Sequence, residues 1–184
     1  MKSTTGKLLI AIPELPDSNF FRTVVFVIEH SDEGAMGVIL NRPTNVKLSE
    51  LWEKLQFETK VASDDAVHLG GPVEGPVLAL HDQFRISDIE VIDSVFMSMA
   101  SERLNELVTE EKVQMKVFSG YSGWGPGQLD MEIESGGWLL MDAHSKDIFD
   151  SSDTMWKRVC EQFGQDIMFS SGIRRQEKID PGLN

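Results

Sequence analysis

Residues 24–28, Val24-Val25-Phe26-Val27-Ile28, are apolar without a break. Side chains of an extended segment alternate between faces, so this run offers apolar groups to both sides and needs cover on both. It reads as the core of a central buried strand over Arg22–His30. Ser31-Asp32-Glu33-Gly34 supplies turn residues, and Ala35–Asn41 is again extended. The expected unit is a hairpin. With a four-residue turn, His30 opposes Ala35, Val24 opposes Asn41 and Thr23 opposes Arg42. At about 3.4 Å per residue, His30 and Asn41 then lie roughly 20 Å apart.

Around this hairpin the pattern mixes strands and helices without regular alternation. Lys7–Ile12 reads as a strand that stops at Pro13, and Pro13–Phe21 as a loop. Pro43–Val46 breaks the second strand of the hairpin. Leu48, Leu51, Trp52 and Leu55 recur at helical spacing within Leu48–Phe57. Val67–Leu69, Val77–Leu80, Ile89–Ile92, Gln114–Phe118 and Gly137–Met141 read as short strands. Ser98 reads as the N-cap of a helix over Met99–Val108. Ser119–Gly127, with glycines at 120, 123, 125 and 127, reads as a loop leading into a short helix over Gln128–Glu134. Asp153–Phe163 reads as a last helix, ended by Gly164. The expected class is α+β with a mixed sheet. At 184 residues the chain has the length of about one domain.

Charge and cysteine content narrow the function classes. Lys and Arg number 17 against 30 Asp and Glu, a formal net charge of −13. Phosphate backbones are gripped by clustered cations. The one short basic cluster here, Arg174-Arg175 with Lys178, falls in a polar tail. Direct nucleic-acid contact is therefore not expected. Cys160 is the sole cysteine, which fits a reducing compartment. No segment approaches the roughly 20 apolar residues of a membrane span, and Leu8–Ile12 is too short for the core of a secretory signal. A cytosolic protein is expected.

Five stretches in order carry a family resemblance. They are Gly6–Ala11 with Asp17-Ser18-Asn19-Phe20; Gly34-Ala35-Met36-Gly37-Val38-Ile39-Leu40-Asn41-Arg42-Pro43; Leu69-Gly70-Gly71-Pro72-Val73; Gly120-Tyr121-Ser122-Gly123-Trp124-Gly125-Pro126-Gly127-Gln128-Leu129; and Glu132 with Trp138. Together they resemble the AlgH/YqgE family of bacterial proteins of unassigned biochemical function, over roughly residues 6–165. The resemblance implies one compact α+β domain over 1–170, with a mixed and antiparallel, coiled, partly barrel-like sheet and flanking helices. Residues 171–184, polar and carrying Pro181-Gly182, lie beyond the resemblance and read as a flexible tail. The resemblance brings no agreed activity; some members carry the label of a transcriptional regulator of alginate synthesis.

Polar and glycine residues collect in the loops, where binding groups concentrate. The loop 13–21 feeds into Arg22, opposite Arg42, which brings Asp17 and Asn19 within reach of the Arg42 guanidinium. An arginine fork holds a carboxylate or phosphate through two bonds. Asp17, Asn41 and Arg42 therefore form either a small anion pocket or an Arg42–Asp17 pair that pins the loop, with Asn41 bonded to backbone. Gly71 and Pro72, and Tyr121, Ser122 and Trp124, form either further ligand or partner surface or structural turns with Trp124 packed on the sheet. The second glycine stretch lacks the lysine of a phosphate-binding loop. Ser122, Asp142 and His144 follow the chain order of a hydrolase triad, but Trp124 stands where a nucleophile elbow needs glycine. The four histidines show no metal-ligand spacing, and no cofactor is called for. The leading expectation is a binding module for a small anionic ligand or a protein partner. The alternative is a hydrolase-like enzyme for an anionic metabolite, with Arg42 as anion holder and His68 or His144 as proton carrier.

Overall fold

A computed structural model describes residues 3–170, apart from positions 14, 16, 58–60, 62, 111 and 151–153. In chain order its elements are β1 (Lys7–Ala11), β2 (Val24–Ser31), β3 (Gly34–Ile39), β4 (Pro43–Lys47), α1 (Leu48–Lys54), β5 (Ala66–Leu69), β6 (Leu78–His81), β7 (Ile89–Ile92), β8 (Val95–Ser98), α2 (Ser101–Leu107), β9 (Met115–Ser119), β10 (Ser122–Trp124), α3 (Gln128–Glu134), β11 (Trp138–Asp142), α4 (Ser145–Ile148) and α5 (Met155–Ser170). A single 3-10 turn, Ser18–Phe20, precedes β2.

The strands form two sheets, one ordered β10-β3-β2-β1-β11 and the other β4-β5-β9-β6-β8-β7. Pairing is antiparallel except between β5 and β9. The two-faced strand found in the sequence sits at the centre of the first sheet. Val24, Phe26 and Ile28 pack into a core with Leu78, Leu80, Val95, Met97 and Phe118 of the second sheet. Val25 and Val27 pack on the opposite side beneath Phe20, Trp124, Leu129 and Trp138. The outer face of the second sheet is covered by α1 and α2 through Leu48, Leu51, Trp52, Leu104 and Leu107. Full burial of one such aliphatic side chain contributes about 1.5–3 kcal/mol, so three stacked apolar layers explain why so short a set of strands holds together.

The α+β class with a mixed and antiparallel arrangement stands as read. Both sheets are open rather than closed into a barrel, with β10, β11, β4 and β7 as edges. The hairpin forms, and His30 opposes Ala35 as expected. Between Val27 and Glu29 the register shifts by one. Beyond it Phe26 opposes Val38 and Val25 opposes Ile39, so the Val24–Asn41 and Thr23–Arg42 pairings do not occur. A bulge inserts one unpaired residue and bends the strand. The strand also begins at Val24 rather than Arg22, which has φ 53°.

Pro43–Lys47 is a strand and not a break, because it lies at a sheet edge where proline's missing N–H is tolerated. Ser98 ends a strand instead of capping a helix. It is fully buried, and the helix starts at Ser101. The loop read at 119–127 contains β10, which pairs with β3 through Ser122–Gly37 and Trp124–Ala35. The last helix runs through Gly164 to Ser170. Leu55 falls at the end of α1 and is exposed. The tail assigned to 171–184 lies outside the described residues.

Candidate functional site

Three of the loops singled out in the sequence meet along the edge of β3, backbone to backbone. Leu69 N donates to Arg42 O (2.9 Å), Ile39 N donates to Gly70 O (2.8 Å), and Ser122 pairs with Gly37. Their side chains then diverge. Arg42 donates from Nη1 to Asn19 O (2.5 Å) and from Nη2 to Phe21 O (3.4 Å). Asp17 caps the Ser18–Phe20 turn, its Oδ1 accepting from Asn19 N (2.8 Å). Among the described residues no ion pair joins Asp17 and Arg42. Arginine pins the loop through carbonyl groups instead. Asn41 bridges backbone, accepting from Val24 N and donating to Arg22 O.

The glycine stretches interlock. Gly70 O also accepts from Ser122 Oγ (3.0 Å), and Val73 bridges Tyr121. Gly71 is buried against the Tyr121 backbone, and Pro72 is exposed. The Tyr121 ring joins the core between the sheets, while Trp124 turns to the opposite face. There it stacks on Phe20 at 6.0 Å and donates from Nε1 to Glu132 Oε2 (3.0 Å). The same Glu132 oxygen accepts from Trp138 Nε1 (2.9 Å).

Two clefts stand out. One, of about 440 Å³, lies between the 3-10 turn and the start of β11, lined by Ile12, Leu15, Asp17, Phe20, Glu132 and Trp138. Its two carboxylates are the cap and the indole acceptor already described. The other, of about 340 Å³, is lined by Pro43, Ala66, His68, Lys116 and Phe149, with Asp64 and Asp65 also at its wall. It holds the more unusual chemistry.

His68 opposes Phe118 across β5 and β9, and Leu80 opposes Lys116 across β6 and β9. Lys116 lies two residues before Phe118, so it shares that strand face and is a diagonal neighbour of His68. This is the face that packs toward the first sheet. Lys116 is 5% exposed and His68 8%. Lys116 Nζ donates to Leu40 O (3.4 Å) and to Asp150 O. Burial pushes its pKa down to about 8, against the pull of Asp150. Burial, reinforced by the Lys116 charge, pushes His68 down to about 4. At neutral pH the pair is a cation beside a neutral imidazole. Asp64 is drawn outward by Lys47 Nζ (2.7 Å), and Asp65 accepts from Ser63 Oγ.

The other histidines are accounted for. His81 Nδ1 accepts from Gln83 N, and its Nε2 meets Ser98 Oγ (3.0 Å), which donates to Ile86 O. His30 Nδ1 accepts from Thr4 N, and its Nε2 lies 3.3 Å from Asp130 Oδ2. His144 is exposed and caps α4. Among the described residues, two buried side-chain polar atoms lack a hydrogen-bond partner: His68 Nδ1 and Asp130 Oδ2. The second sits at ion-pair distance from His30 without hydrogen-bond alignment. The imidazole of the first lies beside the Ala66 backbone, which acts against burial on its pKa.

The model of the AlgH-like family matches residues 8–168. The chain belongs to the AlgH-like family. A UPF0301 protein of Ruegeria pomeroyi is 37% identical over 175 residues, covering 91% of this chain and 95% of that protein. One of Chlorobium limicola is 38% identical over 190 residues, covering 100% and 97%. The solution structure of the AlgH protein from Pseudomonas aeruginosa superposes with a TM-score of 0.74 at 26% identity, over 96% of this chain and 100% of that one. Among the described residues of this AlgH-like chain, no helix is long and apolar enough to cross a membrane.

Sequence reasoning named His68 only as a possible proton carrier and missed Lys116. The signal was present. Lys116 is a cation inside Met115-Lys116-Val117-Phe118, on the same strand face as Phe118. Its neighbour across the sheet could not be read from the sequence, because β5 and β9 are 45 residues apart along the chain and pair in parallel.

Proposed function

We propose that this AlgH-like chain is a binding module for a small anionic metabolite, seated in the cleft over Lys116 and His68. One observation carries the reading: a buried ammonium group and a buried neutral imidazole line one cleft. An ionised ligand oxygen on a desolvated ammonium makes a charge-assisted bond. Asp17, Asn41, Arg42, Gly71, Pro72, Tyr121, Ser122 and Trp124 remain candidates for a ligand or protein-partner surface, but most of their polar atoms are engaged within the fold. A cytosolic setting, supported by the lone cysteine, and a regulatory use of the bound state belong to the same proposal.

The test is a titration of ¹H–¹⁵N spectra with inorganic phosphate and with lactate. Saturable shifts are expected at residues 66–68 and 115–118, abolished in Lys116→Gln and retained in Arg42→Ala. Shifts that survive Lys116→Gln and vanish in Arg42→Ala return the ligand to the Arg42 corner. The absence of any saturable shift overturns the reading.

A further inference from the structure

We propose that Lys116 is a carbonyl-capturing amine, which condenses reversibly in this cleft with a small aldehyde or keto acid to form an imine. The proposal deepens the reading above and rests on the same cleft.

The first support is the valence of Nζ. It has two carbonyl acceptors, Leu40 O and Asp150 O. A neutral amine has two N–H groups and one lone pair, so both donors are satisfied and the lone pair is left unused. The second is desolvation. Lys116 lies between Leu80 of β6 and the β5 strand on an apolar sheet face, 5% exposed. Burial lowers its pKa to about 8. At pH 7 roughly a tenth of the amine is then neutral, against about 0.03% for an exposed lysine near 10.5. Desolvated lysines of this kind are the usual Schiff-base nucleophiles. The third is His68, a neutral imidazole on the same strand face that lines the same cleft. The charged groups around the amine are Asp150 from the segment after α4, itself paired with Arg158 of α5 (2.8 Å), and Asp64 and Asp65 from the segment before β5.

The step balances without an oxidant or reductant. The Nζ lone pair attacks the carbonyl carbon and forms the C–N bond, while the C=O π pair moves to oxygen. Nitrogen gives up one proton, and His68 can relay it to that oxygen, giving a carbinolamine. The C–O bond then breaks. Oxygen leaves as water with the second nitrogen proton, and the nitrogen lone pair completes C=N. Amine plus carbonyl gives imine plus water. A protonated imine keeps one N–H, so one of the two backbone carbonyl bonds is surrendered.

The full chain is incubated with glyoxylate and cyanoborohydride at pH 7, and reduced adducts are mapped by peptide mass spectrometry. The Lys116 peptide is expected to label at least about tenfold faster than those of exposed Lys47, Lys54 and Lys157, with a half-maximal rate near pH 8, and lactate should protect it. Lys116→Arg, which keeps a cation in place, should carry no adduct on that peptide. If this variant does not fold, the wild-type map still decides, since the exposed lysines are internal references. Even labelling across all lysines, while lactate still perturbs the cleft, overturns imine capture and leaves anion binding intact. Even labelling with no lactate effect overturns both.

Discussion

One carboxylate oxygen, Glu132 Oε2, holds two buried indoles. Trp124 and Trp138 are 5% and 3% exposed, so both rings stay largely buried if that oxygen is removed. An unsatisfied buried donor costs about 1–3 kcal/mol. Glu132→Leu should therefore destabilise the chain by about 2–4 kcal/mol, with a shift in tryptophan emission, both read in a urea denaturation. Glu132→Gln keeps an acceptor oxygen and should lose less. The sequence marked both tryptophans and Glu132 but not their union, because the bonds span six and eight residues through a helix whose orientation depends on the sheet beneath. Ser98 and Ser122 teach the same lesson. Each is a short hydroxyl residue beside a turn or a helix, and each is buried with its hydroxyl given to a carbonyl, Ile86 O and Gly70 O respectively.

At the scale of elements, the two glycine stretches form a crossing rather than a ligand loop. A Cβ added at Gly70 would stand 2.2 Å from Gly120 O, a backbone atom with nowhere to move. Gly70→Ala should cost more than about 3 kcal/mol or prevent folding, as overpacking with forced backbone shifts does. Gly127, at φ 69° ahead of α3, has nothing within 4 Å of its added Cβ. Gly127→Ala should cost only the left-handed backbone penalty of about 1–2 kcal/mol. Parallel thermal melts check the contrast, and equal losses would refute the crossing as the cause. Most strands and the α3 boundaries were legible because their apolar period is local. The bulge in β2 was not, since an inserted residue leaves the hydrophobic pattern unbroken when both faces are buried. Nor was β10, whose three residues extend only because the free edge of β3 is there to pair with them.

For the whole molecule, two buried histidines tie stability to pH. Burial lowers His68, helped by Lys116, and lowers His81 against the opposing carboxylates of Asp82 and Asp88; both fall from 6.5 to about 4. The unfolded chain therefore takes up these protons first. Their contribution is complete above about pH 7 and declines as the pH falls from 6.5 toward 4, by on the order of 3 kcal/mol per histidine. Lys116 adds a second window, because its folded value of about 8 lies below its ordinary 10.5. Stability should rise between pH 8 and 10.5, where the unfolded chain still holds that proton. Urea midpoints measured from pH 4 to 10 test both windows, and His68→Gln should flatten the acidic one. A midpoint unchanged between pH 7 and 4.5 would contradict the burial argument.

The sequence alone determined the α+β class, the central two-faced strand, the helix at 128–134 and membership of a family, because each rests on local period or on motifs in order. Only the tertiary structure decided which polar groups share a cavity. Lys116 and His68 become neighbours through a parallel strand pair closed over 45 residues, and Arg42 finds carbonyl oxygens instead of the Asp17 carboxylate. Burial, and with it proton affinity, depends on what the other sheet covers, and no local pattern encodes that.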